Sequence, residues 1–192
     1  MADAPNLTQR QAQYFQSLRA GLKSASGKTL EEWVEIARSC PETTHRGRLS
    51  WFKHHHGLLQ NRASLVLDEA FGGPKAWRDP DALITALWTD DGARKIYETL
   101  DAAAGRLPGV LRTARKGYTA WSRAFQFAAA RPLKGGGVRL GLAVSPDASA
   151  GLGPPKSESW SERLKARLDL ASPAAVDDRV KALLEAAWSG AG

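Results

Sequence analysis

Arg163, Lys165 and Arg167 are spaced two apart, interleaved with Leu164, Ala166, Leu168 and Leu170. In an extended strand alternate side chains point to opposite faces, so the spacing predicts three cations on one face and an apolar stripe on the other. Arg139 falls in a second alternating segment, beside Val138, Leu140 and Leu142. On a neighbouring strand it would join the same cationic face. Such a face attracts phosphates or acidic protein surfaces, and salt screens the attraction. The charge distribution agrees. Residues 102–146 contain eight basic residues (Arg106, Arg112, Arg115, Lys116, Arg123, Arg131, Lys134 and Arg139) and no acidic one, while residues 1–101 are neutral overall. The net charge of +7 therefore has its source in the middle of the chain. A solvated basic surface without a partner is the plainer alternative.

Other residue types invite chemistry and mostly lose to simpler explanations. His54, His55 and His56 are consecutive, and on a helix successive residues point about 100° apart. They cannot converge on one ion, and Cys40 and His45 do not supply the paired spacing of a structural zinc site. Asp90–Asp91 and Asp177–Asp178 stand at expected helix starts, where capping explains them. Gly135–Gly136–Gly137 lacks the Gly-Lys-Ser/Thr of a phosphate-binding loop and has Leu140 where a dinucleotide fingerprint needs its last glycine. It reads as a hairpin turn. No catalytic residue, metal site or cofactor is expected. Gln60, Asn61 and Arg62 open a helix after a turn at Gly57. That spacing is compatible with helix-turn-helix geometry, whose second helix offers such side chains to base edges or phosphates. Many helical domains share the spacing without touching DNA.

The elements that must position these residues follow from periodicity. Apolar residues at three- and four-residue spacing predict helices over about 8–23, 29–39, 44–55 and 59–71. Thr29 with Glu32 forms a capping box, and Gly57 suits a left-handed helix end. These helices form an expected domain over 8–71. Residues 72–80, Gly-Gly-Pro-Lys-Ala-Trp-Arg-Asp-Pro, read as a joint. An α+β domain over 80–190 then follows. It has helices over about 81–88 and 91–104, a strand within 121–131, strands at 138–142 and 164–170, and a final helix after Ser172-Pro173. The Gly-, Pro-, Ser- and Ala-rich stretch 146–159 is expected as a flexible surface loop. The fold class is α+β: a small helical domain, then an antiparallel sheet of three or four strands packed by helices.

Two groups of residues resemble known sequences. Gly27-Lys-Thr-Leu-Glu-Glu-Trp33 followed by Trp51-Phe-Lys-His-His-His-Gly-Leu58 resembles a bacterial helical domain of unknown function with the signature G-K-x-x-E-E-W, then W-L-K-x-x-H-G-L. Phe127-Ala, Arg131-Pro, Leu140-Gly-Leu-Ala143 and Val176-Asp-Asp-x-Val180 resemble a second uncharacterised domain that often follows the first. The resemblance implies a cytoplasmic bacterial protein with a helical front and an α+β back, and no established activity. Gly137 and Arg139 stand where the family pattern implies arginine and an acidic residue.

Composition excludes several classes. Of 192 residues, 43% are hydrophobic and 24% charged, which suits a globular chain rather than a disordered one. Cys40 is the only cysteine, so no internal disulfide can form, and a cytoplasmic location is expected. No apolar run is long enough for a membrane span, and the first residues lack a secretory pattern. The leading functional expectation is a non-enzymatic accessory that binds the phosphate backbone of nucleic acid. The residues expected to do so are Arg139, Arg163, Lys165 and Arg167, with Gln60, Asn61 and Arg62 as a second candidate group. The expected partner is nucleic acid or an acidic protein, and the alternatives are a protein–protein adaptor that uses the helical unit or an exposed aromatic patch, and an enzyme with an unrecognised site in the second domain.

Overall fold

The computed structural model describes residues 7–73, 79–147 and 149–192. Most of the expected joint at 72–80, and Ala148 of the loop, lie outside the described residues. The chain divides into two compact units, one formed by residues from Gln9 and the other by residues from Asp79.

The first unit is helical. It contains α1 (Gln9–Ala20), α2 (Leu22–Ser26), α3 (Leu30–Arg38), α4 (His45–His56) and α5 (Gln60–Phe71). The expected single helix over 8–23 is interrupted at Gly21, and its second part runs on to Ser26. Thr29 caps α3 as the sequence predicts. Its hydroxyl accepts from the Glu32 amide, and the Glu32 carboxylate accepts from the Thr29 amide at 2.7 Å. Gly57 ends α4 at φ 65°, a conformation that costs a side chain but not glycine. Leu22, Trp33, Val34, Phe52, Ala63 and Val66 are among the residues that fill the core of this unit. His56 is part of the packing: its ring lies edge-on to Trp51 at 4.6 Å and to Trp33 at 5.7 Å.

The second unit begins with α6 (Pro80–Leu87) and α7 (Asp91–Ala104). Five antiparallel strands follow in simple meander order: β1 (Leu111–Arg115), β2 (Tyr118–Ser122), β3 (Gln126–Pro132), β4 (Val138–Leu142) and β5 (Ala166–Leu170). A 3-10 turn at Pro173–Ala175 leads into α8 (Asp178–Ser189), which Asp177 caps through the Val180 amide. Val138, Leu140, Leu142, Ala166 and Leu170 pack with Ile96 and Leu100 of α7 and Val180 and Leu184 of α8. One sheet face is thus covered by helices, and the alternation within β4 and β5 specifies which.

Two expectations about the sheet need correction. The segment 121–131 is not one strand. It spans the end of β2, a turn in which the Arg123 amide donates to the Phe125 carbonyl at 3.0 Å, and most of β3. The register shifts between Trp121 and Ser122, so the helical-face parity of Trp121 does not carry through to Phe125. Nor does the last strand begin at 164. The Leu164 amide closes a turn onto the Ser161 carbonyl, and Leu164 packs with Ala120, Ala129 and Trp160 on the sheet face opposite the helices. Only residues from Ala166 onward alternate as predicted. Arg163, Lys165 and Arg167 therefore do not form a three-residue stripe on a strand.

The segment 146–159 contributes to packing, contrary to its composition. Asp147 and Leu152 exchange backbone hydrogen bonds, and Leu152 is buried. Gly153 pairs with Arg167 along the outer side of β5, so this edge is partly closed.

Candidate functional site

The register of the sheet places five polar or aromatic side chains in one row on the face away from the helices. Arg115 of β1 pairs with Tyr118 of β2, Arg131 of β3 with Arg139 of β4, and Arg139 with Asp169 of β5. The β2–β3 register, in which Thr119 faces Ala130, continues by one residue to set Tyr118 against Arg131. Neighbouring strands lie about 4.8 Å apart, so the row Arg115–Tyr118–Arg131–Arg139–Asp169 crosses the sheet over about 19 Å. The next row on the same face is Thr113–Ala120–Ala129–Gly141–Arg167. Its central residues are small because Trp160 lies on them. A Cβ at Gly141 would stand 2.7 Å from Trp160 Cζ2. The Trp160 ring thus walls the first row on one side, and Tyr118 packs against the same small cluster.

Charges in the row are only half compensated. Asp169 receives two parallel hydrogen bonds from Arg139, Nε to Oδ1 and Nη2 to Oδ2, both 2.7 Å. Nη1 of Arg139 donates to Glu158 Oε1 at 3.2 Å, and Arg167 Nη1 lies 3.7 Å from the same oxygen. The Glu158 side chain is only 2% exposed, so the pairing takes place largely away from water. Arg131 is different. It is half-buried, it faces Arg139 directly, and among the described residues it has no carboxylate partner. Like charges in register across a strand pair are destabilising. Arg115 at the end of β1, Lys116 in the β1–β2 turn and Lys134 in the β3–β4 turn lie at the same end of the sheet, exposed, and also without a carboxylate partner among the described residues. Asp90 lies against Gly136 of the β3–β4 turn, but its Oδ1 accepts from the Ala93 amide as the cap of α7.

The pairing has a pH signature. The Arg139 hydrogen bonds hold the Asp169 carboxyl below its ordinary value, against the upward push of burial. Burial alone would raise Glu158, but the Lys156 amide, its own amide, Arg167 and Arg139 bring it below its ordinary value. Both carboxylates are thus more acidic folded than unfolded. Their contribution is fully present above the ordinary carboxylate range, about 3.9–4.3. It is lost as pH falls through the depressed values. Acid unfolding followed by circular dichroism should show a falling stability there, with a shallower slope in Glu158→Gln. An unchanged slope would mean that Glu158 does not hold the segment to the sheet.

The expected site residues are distributed as follows. Arg139 and Arg167 share the outer sheet face, but with Glu158 and Asp169 against them. Arg167 also donates to the Pro154 carbonyl at 2.8 Å. Arg163 lies over the Phe125 ring at 3.8 Å, and Lys165 is exposed; both precede β5, at the end of the sheet opposite Arg139. In the helical unit Gln60 and Asn61 are exposed at the start of α5, whereas Arg62 is half-buried with Nε withdrawn from solvent. Arg115, Tyr118 and Arg131 were missed as a group. All lie in or beside hairpins, and the acid-free stretch contains both arginines, but only the pairing register shows that they line up.

A second polar cluster lies beside the helix-covered core. Asp101 of α7 accepts from Trp121 Nε1 at 2.8 Å and from Arg112 Nη1 at 2.6 Å, and Arg112 reaches Asp81 at 2.7 Å. Tyr97 stacks between Trp88 (4.5 Å) and Trp121 (6.2 Å). Burial first, then the Asp101 charge, push its hydroxyl up to about 12. Asp101, Trp121, Arg112 and Asp81 are mutually engaged, and they read as structure.

A family model described as a domain of unknown function, DUF5655, matches residues 85–190, more than half of the chain. The chain belongs to the DUF5655 family. The matched DUF5655 region begins within α6 and ends just after α8, so it contains the whole sheet and both rows. A second model, the domain of unknown function DUF4287, matches residues 14–71 of the helical unit. No curated protein and no solved structure matches the chain. No helix among the described residues is long and apolar enough to cross a membrane.

Proposed function

We propose that this protein is a non-enzymatic accessory that holds nucleic acid by its phosphate backbone, through the hairpin end of the DUF5655 sheet. The observation that carries this reading is the placement of Arg115, Lys116, Arg131 and Lys134 at one end of the sheet, none with a carboxylate partner among the described residues. Arg139, saturated by Asp169 and Glu158, serves as the fixed flank of the site rather than a contact. Arg163 and Lys165, at the opposite end, contribute little. A phosphate beside Arg131 supplies the counter-charge that Arg131 lacks among the described residues. Binding then releases counterions from the nucleic acid, and affinity falls steeply with salt.

Fluorescence anisotropy with a labelled oligonucleotide, across about 50–200 mM salt, tests this. Replacing Arg115, Lys116, Arg131 and Lys134 together by alanine should reduce the slope of log K against log salt by about 3. An Arg163→Ala, Lys165→Ala variant should keep the slope. Absence of binding by the unmodified chain, or equal slopes in the two variants, rejects the reading.

A further inference from the structure

The row has an aromatic ring where a purely electrostatic clamp needs none. Tyr118 stands between Arg115 and Arg131 in the cross-strand register. Resting on the proposed phosphate-binding role of this sheet end, we infer that the row takes single-stranded nucleic acid, with a base stacked on Tyr118 and the flanking phosphates on Arg115 and Arg131.

Three features support a single strand over a duplex. In a duplex the base faces are occupied by their neighbours, so a ring in the middle of the row would meet only backbone. A single strand can splay its bases onto aromatic side chains, while cations follow its backbone. Second, the row is open above but has a wall. Trp160 occupies the adjacent row over Ala120, Ala129 and Gly141, and Tyr118 packs against that cluster while remaining half-exposed. A ring already held by packing loses little further freedom when a base stacks on it. Third, the ring has no competing polar duty: its hydroxyl makes no hydrogen bond to the described residues.

The test uses the full chain and three probes: a labelled oligothymidylate, an abasic strand of equal length and charge, and a duplex. The unmodified protein should bind oligothymidylate about tenfold more tightly than the abasic strand, since one stacked base contributes of this order. Tyr118→Leu should lose about tenfold for oligothymidylate, change little for the abasic strand, and keep its salt slope. Tyr118→Phe should retain binding. The abasic comparison needs no variant, so misfolding of Tyr118→Leu leaves the inference testable. Equal affinity for thymidylate and abasic strands, or duplex binding as tight as single-strand binding, overturns it. In that case the phosphate role still stands, provided that the four-cation variant loses its salt slope. If that variant binds unchanged, the underlying role fails first.

Discussion

Asp101→Ala is expected to lower the stability of the sheet unit by about 2–3 kcal/mol, read from the urea midpoint at unchanged m-value. The reason is the number of donors that one carboxylate serves. Asp101 accepts the indole N–H of Trp121, which is fully buried, and a guanidinium N–H of Arg112. Truncation leaves a buried N–H without an acceptor and weakens the hold on Arg112, which retains Asp81. An unsatisfied buried donor costs about 1–3 kcal/mol. Arg112 is partly exposed, so the loss of its ion pair adds less than that of a buried pair. Trp121 and Arg112 also face each other across β1 and β2, so the damage falls on one strand pair and the helix above it. Asp101→Asn keeps one acceptor oxygen but offers an amide N–H₂ to a donor, and should fall between the two. A loss below about 0.5 kcal/mol for alanine would show that water replaces the carboxylate without cost.

The second large effect concerns Gly141. An added Cβ meets three atoms of the Trp160 ring at 2.7, 2.8 and 3.0 Å, and Trp160 is nine-tenths buried. The ring cannot retreat without withdrawing from Ala120, Ala129 and Leu164. Overpacking of this kind costs about 1–3 kcal/mol, and Gly141→Ala should be destabilising by that amount. The decisive measurement is a double-mutant cycle with Trp160→Ala. In that background Gly141→Ala should be neutral or mildly stabilising, because glycine inside a strand is unfavourable unless something needs the space. A coupling energy near zero would mean that Trp160 does not occupy the recess in solution.

Much of this architecture can be read from residue order. Thr29 with Glu32, and Gly57, mark helix boundaries through local chemistry, and local chemistry is what a sequence displays. The alternation of β4 identifies its buried face for the same reason. β1, with Leu-Arg-Thr-Ala-Arg, shows no such pattern because it is an edge strand with a partly exposed surface, and it escapes a reading based on periodicity. The alternation of 163–165 misleads for the opposite reason. Leu164 is apolar because it packs under Trp160, on the other face from Ala166 and Leu170. The row itself was the least legible feature. Arg115, Tyr118, Arg131, Arg139 and Asp169 come from five strands, and a bulge near Ser122 shifts the pairing. No spacing in the chain encodes that. The carboxylates that neutralise Arg139 come from 158 and 169, outside the acid-free stretch, so counting charge by segment overstated the positive field at Arg139 and understated the isolation of Arg131.

The meander order has a kinetic consequence. Each strand pairs only with those next to it in sequence, so β1 to β4 can zip together through two tight reversals and a short bend, with little loop-closure entropy at each step. β5 is separated from β4 by residues 143–165, and its docking requires Glu158 and Trp160 to find the far surface first or together with it. Formation of the β4–β5 ladder is therefore expected to come late in assembly. Substitutions at 158, 160 or 169 should accelerate unfolding while leaving the refolding rate nearly unchanged.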